Sequence, residues 1–271
     1  MSYGRIINKN MIISINGKII DQKKACIPVL SKSFLFGFSV FETMRTYNKR
    51  VFRVVDHIKR LYESANILDM KPLWSPKKVC KVIEELTEKS KYKESRIRVI
   101  LTQKELIIMV EDLKEKPASF YGKGVKLASY PGRRSIPYAK VLGDAFCYLA
   151  NQYAVMHNLF YDSILVDPDT SYVRECSYAN IFWVNNGKLY TTDKNILYGI
   201  TRDTVLELSK KCNFKDIKLK SLLKADEVFI TQTTSGILPV ASIDGNKIGD
   251  GQPGDMTKEL MKRLNKFVWD K

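Results

Sequence analysis

"VRECSYANIFWV", residues 173–184, is the stretch on which the reading of this chain turns. A run of Ile, Phe, Trp and Val follows closely on Arg174-Glu175, and apolar runs of this kind end inside a domain. Burying a carboxylate without a partner costs several kcal/mol, so Glu175 at the mouth of the run needs one. Two kinds of partner fit: an arginine, with Arg174 and Arg202 as candidates for a structural ion pair, or a cationic group that is not protein.

Outward from that stretch the chain alternates between strand and helix periods. "DSILVDPDTSYVRE" and "NIFWVNNGKLYTT" are strand pairs with turns at residues 167–169 and 185–187. Upstream, "MIISINGKIID" turns at Asn16-Gly17, a hairpin signal. "SFLFGFSVFETMRTYNKRVFRV" holds an alternating strand, Val40–Tyr47, a turn at Asn48-Lys49 and a second strand from Val51. "VVDHIKRLYESANIL" shifts to helical period, with Ile58, Leu61, Ala65 and Leu68 on one face. "SPKKVCKVIEELTEKS" is a second helix, with Ser75 as N-cap and Pro76 at the first helical position. "SRIRVILTQKELIIMVEDL" reads as two strands separated by "TQKE". "FYGKGVKLASYPGRRSIPYAK" gathers Gly, Pro and Arg between periodic segments and reads as a boundary. The expected division is a small N-terminal α/β domain over 1–125, a linker over 126–135 and a cofactor-binding domain over 136–271. After Pro137, "AKVLGDAFCYLANQYAVMHNL" reads as helix. "ILYGITRDTVLELSKKC" is a loop feeding a helix, "ADEVFITQTTSGILPVASIDGNKI" is strand, turn, strand, and "PGDMTKELMKRLNKFVWD" is a terminal amphipathic helix. The fold class is α+β, without internal repeats.

Composition narrows the function classes. The 271 residues suffice for one large or two medium domains, and 45% hydrophobic residues mark a globular chain. No apolar run reaches the roughly 18 residues that span a bilayer, and the N-terminus does not read as a secretory signal. Cys26, Cys80, Cys147, Cys176 and Cys212 are scattered and odd in number, which suits a reducing cytoplasmic compartment. With only His57 and His157 and no cysteine cluster, no metal site is expected. The net charge of +16 is spread along the chain, often beside Glu, as in "KKVCKVIEELTEKSKYKES". That is the pattern of a solvated surface, and no nucleic-acid or membrane partner is expected; a basic surface also attracts anionic small molecules.

Two loops share a chemical character. "YGITRD", residues 198–203, opens a helix with unpaired amides and the Thr201 hydroxyl; "TQTTSG", residues 231–236, follows a strand and offers Thr233 and Thr234. Such places bind phosphate, although Thr and Gly are also ordinary cap and turn residues. Neither a Walker A motif nor a G-x-G-x-x-G after a strand is present, which disfavours nucleotides. A cofactor with one phosphate and a cationic ring uses both loops and answers the question of Glu175. Pyridoxal 5′-phosphate has both features and needs a lysine.

Taken together, "FLFGFSVFETMR", "FRVVDHIKRL", a lysine before "YLANQYA", "VRECSYANIFWV", "LYGITRD" and "TQTTSGILPV" resemble the class IV, or fold type IV, pyridoxal-phosphate aminotransferases, from about Met11 to Lys266. That family includes D-amino-acid and branched-chain aminotransferases, R-selective amine transaminases and aminodeoxychorismate lyase. The resemblance implies two α/β domains with the cofactor between them and a homodimer. It assigns Lys140 to the Schiff-base position and Glu175 to the pyridine nitrogen. Arg60 goes to the phosphate, together with Ile200, Thr201, Thr233 and Thr234, and Leu197 to packing against the ring. Locally, nothing distinguishes Lys140 from the other lysines, and Arg60 on a helix is ordinarily a surface charge.

Substrate choice falls between subgroups. Phe41, Thr43 and Arg45 share one face of their strand, which in the family looks into the active site, and by the same likeness Arg98 points inward. Two inward guanidiniums suit a dicarboxylate such as 2-oxoglutarate or glutamate; alternatively one of them pairs with Glu42 or Glu94. The Arg-x-His loop of D-amino-acid aminotransferases and the Tyr-Ile-Arg-Pro of the branched-chain type are both absent, and Phe38-Ser39 replaces the usual Asp-Gly. D-amino-acid transamination with a 2-oxo acid acceptor (2-oxoglutarate or pyruvate) is the expectation, mainly because of Arg98. A branched-chain L-amino-acid enzyme, a lyase, or a binding or regulatory protein on the same fold are the alternatives.

Overall fold

The computed structural model describes residues 11–156 and 160–270. They fall into two units, one built from residues up to Lys114 together with Ala139–Gly143, the other from Glu115–Tyr138 and the chain from Asp144 onward. Among the described residues no helix is long and apolar enough to cross a membrane, and all five cysteines are free thiols.

In the first unit Asn16 and Gly17, both at positive φ, close the hairpin between β1 (Ile12–Ile15) and β2 (Lys18–Ile20). A short helix, α1 (Lys32–Phe36), capped by Ser31, leads to β3 (Val40–Tyr47), and Asn48-Lys49 turns the chain into β4 (Arg50–Val51). Helices α2 (Val54–Ile67) and α3 (Pro76–Glu88) follow; Pro76 opens α3, but the Ser75 side chain makes no capping bond. Strands β5 (Ser95–Leu101) and β6 (Leu106–Asp112) complete an antiparallel sheet of order β2-β1-β6-β5-β3-β4. Strand period two then sorts the side chains. Val40, Met44, Ile97, Val99 and Leu101 pack with Ile58, Leu61 and Ala65 of α2 and Val79 and Ile83 of α3. Phe41, Thr43, Arg96 and Arg98 are left half-buried on the other face.

The second unit begins with α4 (Ala118–Lys123), β7 (Val125–Pro131), α5 (Ala145–Met156), β8 (Asp162–Val166) and β9 (Tyr172–Cys176). Next come β10 (Asn180–Asn185), β11 (Lys188–Thr191), α6 (Ile200–Leu208), β12 (Cys212–Phe214), β13 (Ile217–Lys218) and α7 (Leu219–Leu222). The unit ends with β14 (Glu227–Gln232), β15 (Gly236–Ile243), β16 (Asn246–Lys247) and α8 (Asp255–Trp269). The sheet runs β12-β11-β10-β14-β15-β7-β8-β9-β13, with β16 on β15. Ile181 and Trp183 of β10, Ile230 of β14 and Leu238 of β15 build one core with Val173 and Ile164. On the opposite side of β10 and β14, Phe182 and Phe229 stack with ring centres 4.9 Å apart.

Two expectations are corrected. The segment 126–135 is not a linker: most of it is β7, paired in parallel with both β8 and β15, with Val125, Leu127 and Ala128 buried and Pro131 only at its last residue. The chain also does not enter a helix at Ala139. Residues 139–143 run beside β3: Phe41 N–H donates to the Lys140 carbonyl at 3.0 Å, Leu142 N–H to the Ser39 carbonyl at 3.0 Å, and Val141 bridges Val40. Gly143 permits this approach, since a Cβ there would stand 3.1 Å from the Gly37 backbone. The helix starts at Ala145, where Asp144 accepts a bond from Cys147 N–H at 3.2 Å. The end expected for this helix, residues 157–159, lies outside the described residues.

Candidate active site

In the first unit the sheet face opposite the core gathers around Lys140. Its backbone is fixed by Phe41, as above, and by its own N–H, which donates to Ser64 Oγ of α2 at 3.0 Å. Lys140 Nζ lies 4.6 Å from the centre of the Phe41 ring, and the Arg98 guanidinium carbon lies 4.7 Å from the same centre. Thr43 stands opposite Arg98 in the β3–β5 register. Phe41, Thr43 and Arg98 are therefore together with Lys140. Arg45 is one pleat farther along β3, stacked 3.9 Å over Tyr47 and donating to the Thr46 carbonyl at 3.2 Å. Arg96 pairs with Glu111 at 2.6 Å.

The core-facing side of β3 carries a buried ionic cluster. Arg60 forks onto Glu42 through Nε (2.7 Å) and Nη2 (2.8 Å), and His57 Nδ1 is 2.8 Å from Glu42 Oε2. Burial works to raise the Glu42 pKa, but the Arg60 charge and the His57 hydrogen bond outweigh it and hold the carboxyl well below the usual range. Burial depresses the His57 pKa more than Glu42 restores it, and the charges of Arg60 and Lys140 depress it further. A neutral His57 therefore donates its Nδ1–H to the carboxylate. Glu42 is thus committed to α2, and Glu94 accepts from the Thr46 hydroxyl and from Asn48 N–H, the latter at 2.8 Å. Neither acid is the partner of Arg45 or Arg98.

The second unit supplies the partners of Glu175. Arg174 turns away to Asp167 (3.1 Å) and Asp216 (3.2 Å), and Arg202 to Asp203 and the Thr192 carbonyl. The contact comes instead from Arg134, whose Nε lies 3.0 Å from Glu175 Oε1 as a charge contact, its N–H not aligned on the oxygen. Leu197 N–H donates to Oε1 at 3.1 Å and Asn180 Nδ2 to Oε2 at 3.3 Å; Asn180 also donates to the Leu197 carbonyl at 2.7 Å. Asn180 ties the carboxylate to the loop that enters α6. That helix begins at Gly199 with no side-chain cap, so the amides of Ile200 and Thr201 face outward along its axis. A Cβ on Gly199 would collide with Asn180 Oδ1. Across the β10–β14 ladder from Asn180 lies Thr231, a buried residue whose hydroxyl has no partner among the described residues. The turn that follows, with Thr233 and Thr234, is pinned by Gln232 Oε1, which accepts from Tyr161 OH and Ser235 Oγ, each at 2.8 Å.

Comparison with known proteins gives the family of the chain. The amino-transferase class IV family matches residues 39–243. This chain belongs to that family. The aminotransferase is 31% identical to a putative branched-chain-amino-acid aminotransferase of Methanocaldococcus jannaschii, over 94% of this chain and 95% of that one. It is 27% identical to the D-alanine aminotransferase of Staphylococcus haemolyticus, over 94% and 97%. Its fold superposes on a branched-chain amino acid aminotransferase of T.th., complexed with N-(5′-phosphopyridoxyl)-L-glutamate, with a TM-score of 0.87 and 29% identity, covering 96% and 94% of the two chains. As a class IV member the aminotransferase uses pyridoxal 5′-phosphate. The second unit fits that group: an uncapped helix N-terminus, an orphaned buried hydroxyl and a glycine with no room for a side chain suit a phosphate, and a buried carboxylate suits a protonated ring.

Sequence reasoning missed Arg134, Asn180 and Thr231. Arg134 was concealed beside Arg133, which is largely exposed on Asp167 and Asp169. Asn180 was within reach, because it stands one strand start away from Glu175 in the quoted stretch, where a buried amide must bond on both ends.

Proposed function

We propose that this aminotransferase transfers the amino group of a branched-chain amino acid to a 2-oxo dicarboxylic acid, with Lys140 bonding the cofactor and relaying the proton. The observation that carries the reading is the convergence of Lys140 Nζ and the Arg98 guanidinium on Phe41. A reactive amine and a carboxylate-binding fork on one half-buried face are what an amino-acid transaminase needs. Arg98 binds a carboxylate of either enantiomer, so it supports the dicarboxylate and not a D-configured substrate. The ligand of the T.th. enzyme carries L-glutamate, the amino form of such an acceptor. Likeness to branched-chain enzymes favours an aliphatic donor; likeness to D-alanine aminotransferases keeps D-alanine as the second reading.

Bound pyridoxal 5′-phosphate supplies an electron sink for the charge left at the substrate Cα. The chain does the rest. Lys140 Nζ accepts the α-proton and later returns it. Glu175, held by Leu197 N–H and Asn180, keeps a proton on the ring nitrogen, and Leu197 packs against the ring. Ile200, Thr201, Thr233 and Thr234 hold the phosphate, aided by Arg60, which Glu42 pre-orients. Phe41, Thr43 and Arg98 position the substrate, with Arg45 adding positive charge from beside Tyr47.

Two measurements test this. In single-turnover half-reactions L-leucine should bleach the cofactor's visible band; bleaching by D-alanine alone would overturn the branched-chain reading. Arg98→Leu should lower kcat/KM for glutamate by roughly ten- to a hundredfold, the worth of a charged hydrogen bond. An amine without a carboxylate should be nearly unaffected, and equal losses for both would make Arg98 structural. We also propose a homodimer. Leu30, Phe34 and Phe36, at and beside α1, are 83%, 64% and 78% exposed, an apolar patch for a second copy to cover. Light scattering at micromolar concentration should give twice 31.2 kDa, and a fully active monomer would contradict it.

A further inference from the structure

Arg134 is 7% exposed, yet its guanidinium serves three groups at once. Nε contacts Glu175 Oε1 at 3.0 Å, Nη1 donates to Asp144 Oδ2 at 3.2 Å, and Nη2 donates to the Ser177 carbonyl at 3.2 Å. Ser177 lies in the bend between β9 and β10, two residues after Glu175, so one side chain grips both the carboxylate and the backbone that carries it. Leu197 N–H and Asn180 Nδ2 orient the carboxylate, and Arg134 adds a full positive charge beside it. A carboxyl 3% exposed that loses this cation would favour its neutral form, because burial penalises the charge. Burial works against the charge of Arg134 too, but Glu175, with Cys147 and Asp144, more than compensates and raises its pKa.

We propose that Arg134 is a positioning residue that keeps Glu175 ionised before the cofactor arrives, and so makes the site select a protonated ring nitrogen. The inference rests on Glu175 facing that nitrogen. Without Arg134 the balance at the buried carboxyl shifts toward the neutral acid, which tolerates a C–H where the nitrogen belongs. An ionised carboxylate does not, because its lone pair facing the ring would be left buried without the N–H that belongs there.

The test is equilibrium dialysis of the full-length chain, freed of cofactor, against pyridoxal 5′-phosphate and against 1-deazapyridoxal 5′-phosphate, in which C–H replaces the ring nitrogen. In the wild type the analogue should bind roughly ten- to a hundredfold more weakly, the worth of a charge-assisted hydrogen bond. Arg134→Met should bring the two affinities within about threefold of each other, and Arg134→Lys, which keeps the charge, should retain most of the preference. An Arg134→Met protein with the wild-type preference would overturn the proposal. Glu175→Gln should also lose the preference; if it does not, Glu175 does not face the nitrogen, and the inference falls with that reading, whereas loss in Glu175→Gln with retention in Arg134→Met overturns the role of Arg134 alone. Should Arg134→Met be insoluble, Arg134→Met/Glu175→Gln should restore soluble protein, because the buried charge that Arg134 offsets is gone. A double variant that stays insoluble would mark Arg134 as purely structural.

Discussion

Lys140→Ala should reduce transamination by roughly 10⁴-fold, as expected when the group that bonds the cofactor and relays the proton is removed. The fold should survive. The backbone of Lys140 is held by its own bonds, its N–H on Ser64 Oγ and its carbonyl under Phe41 N–H, both untouched by the substitution. The side chain's interaction with the Phe41 ring is worth about 1 kcal/mol, so Tm should move by only about 2–4 °C. Phosphate and ring contacts are proposed for other residues, so cofactor should still be retained. Steady-state assay, differential scanning calorimetry and dialysis read the three parts separately. A variant that retained turnover would remove Lys140 from the chemistry.

Glu42→Gln should be the most damaging single change to stability. Glu42 is fully buried, and its carboxylate accepts two bonds from Arg60 and one from His57. The amide takes the carboxylate's counter-charge away from a buried guanidinium, a loss of about 3–5 kcal/mol, or roughly 6–20 °C in Tm. The pH dependence has a definite sign. The folded-state pKa of Glu42 is depressed, so its stabilisation is complete above the unfolded value of about 4.3 and is lost as pH falls below it. The folded-state pKa of His57 is depressed too, so the unfolded chain takes up a proton first and stability begins to drop below about pH 6.5. Wild-type Tm should thus fall in two stages on acidification, and the lower one should be shallower in Glu42→Gln, where Asp167, against whose burial Arg174 and Arg133 hold the pKa down to about 2, still contributes. A variant with the wild-type acid profile would show that the Arg60–Glu42 pair contributes nothing net.

The sheets and the first two long helices were legible because each rests on local signals. Asn16-Gly17 and Asn48-Lys49 turn where positive φ is cheap for Asn and Gly, and β3 begins and ends where its alternation does. The failures have a common cause in non-local pairing. "KLASYPGRRS" contains the breakers of a linker, yet its first half is a strand because β8 and β15 supply ladder partners from far along the chain. Lys140 looks helical by its neighbours but is drawn alongside β3 by the bonds that Phe41 N–H makes to its carbonyl and Leu142 N–H makes to Ser39. The sequence shows that Glu175 needs a partner but points to the wrong arginines: Arg174, one residue away, faces the opposite side of its strand. Which of two adjacent arginines at 133 and 134 is buried is decided by where β7 ends, a fact absent from their composition.

Whether Lys140 is the residue joined to the cofactor is read from borohydride reduction of the holoenzyme followed by peptide mapping. Reduction makes the bond permanent, so the label reports which lysine was attached. A single phosphopyridoxyl group should appear on Lys140 and none in Lys140→Ala; a label on any other lysine of the wild-type chain would remove Lys140 from that role.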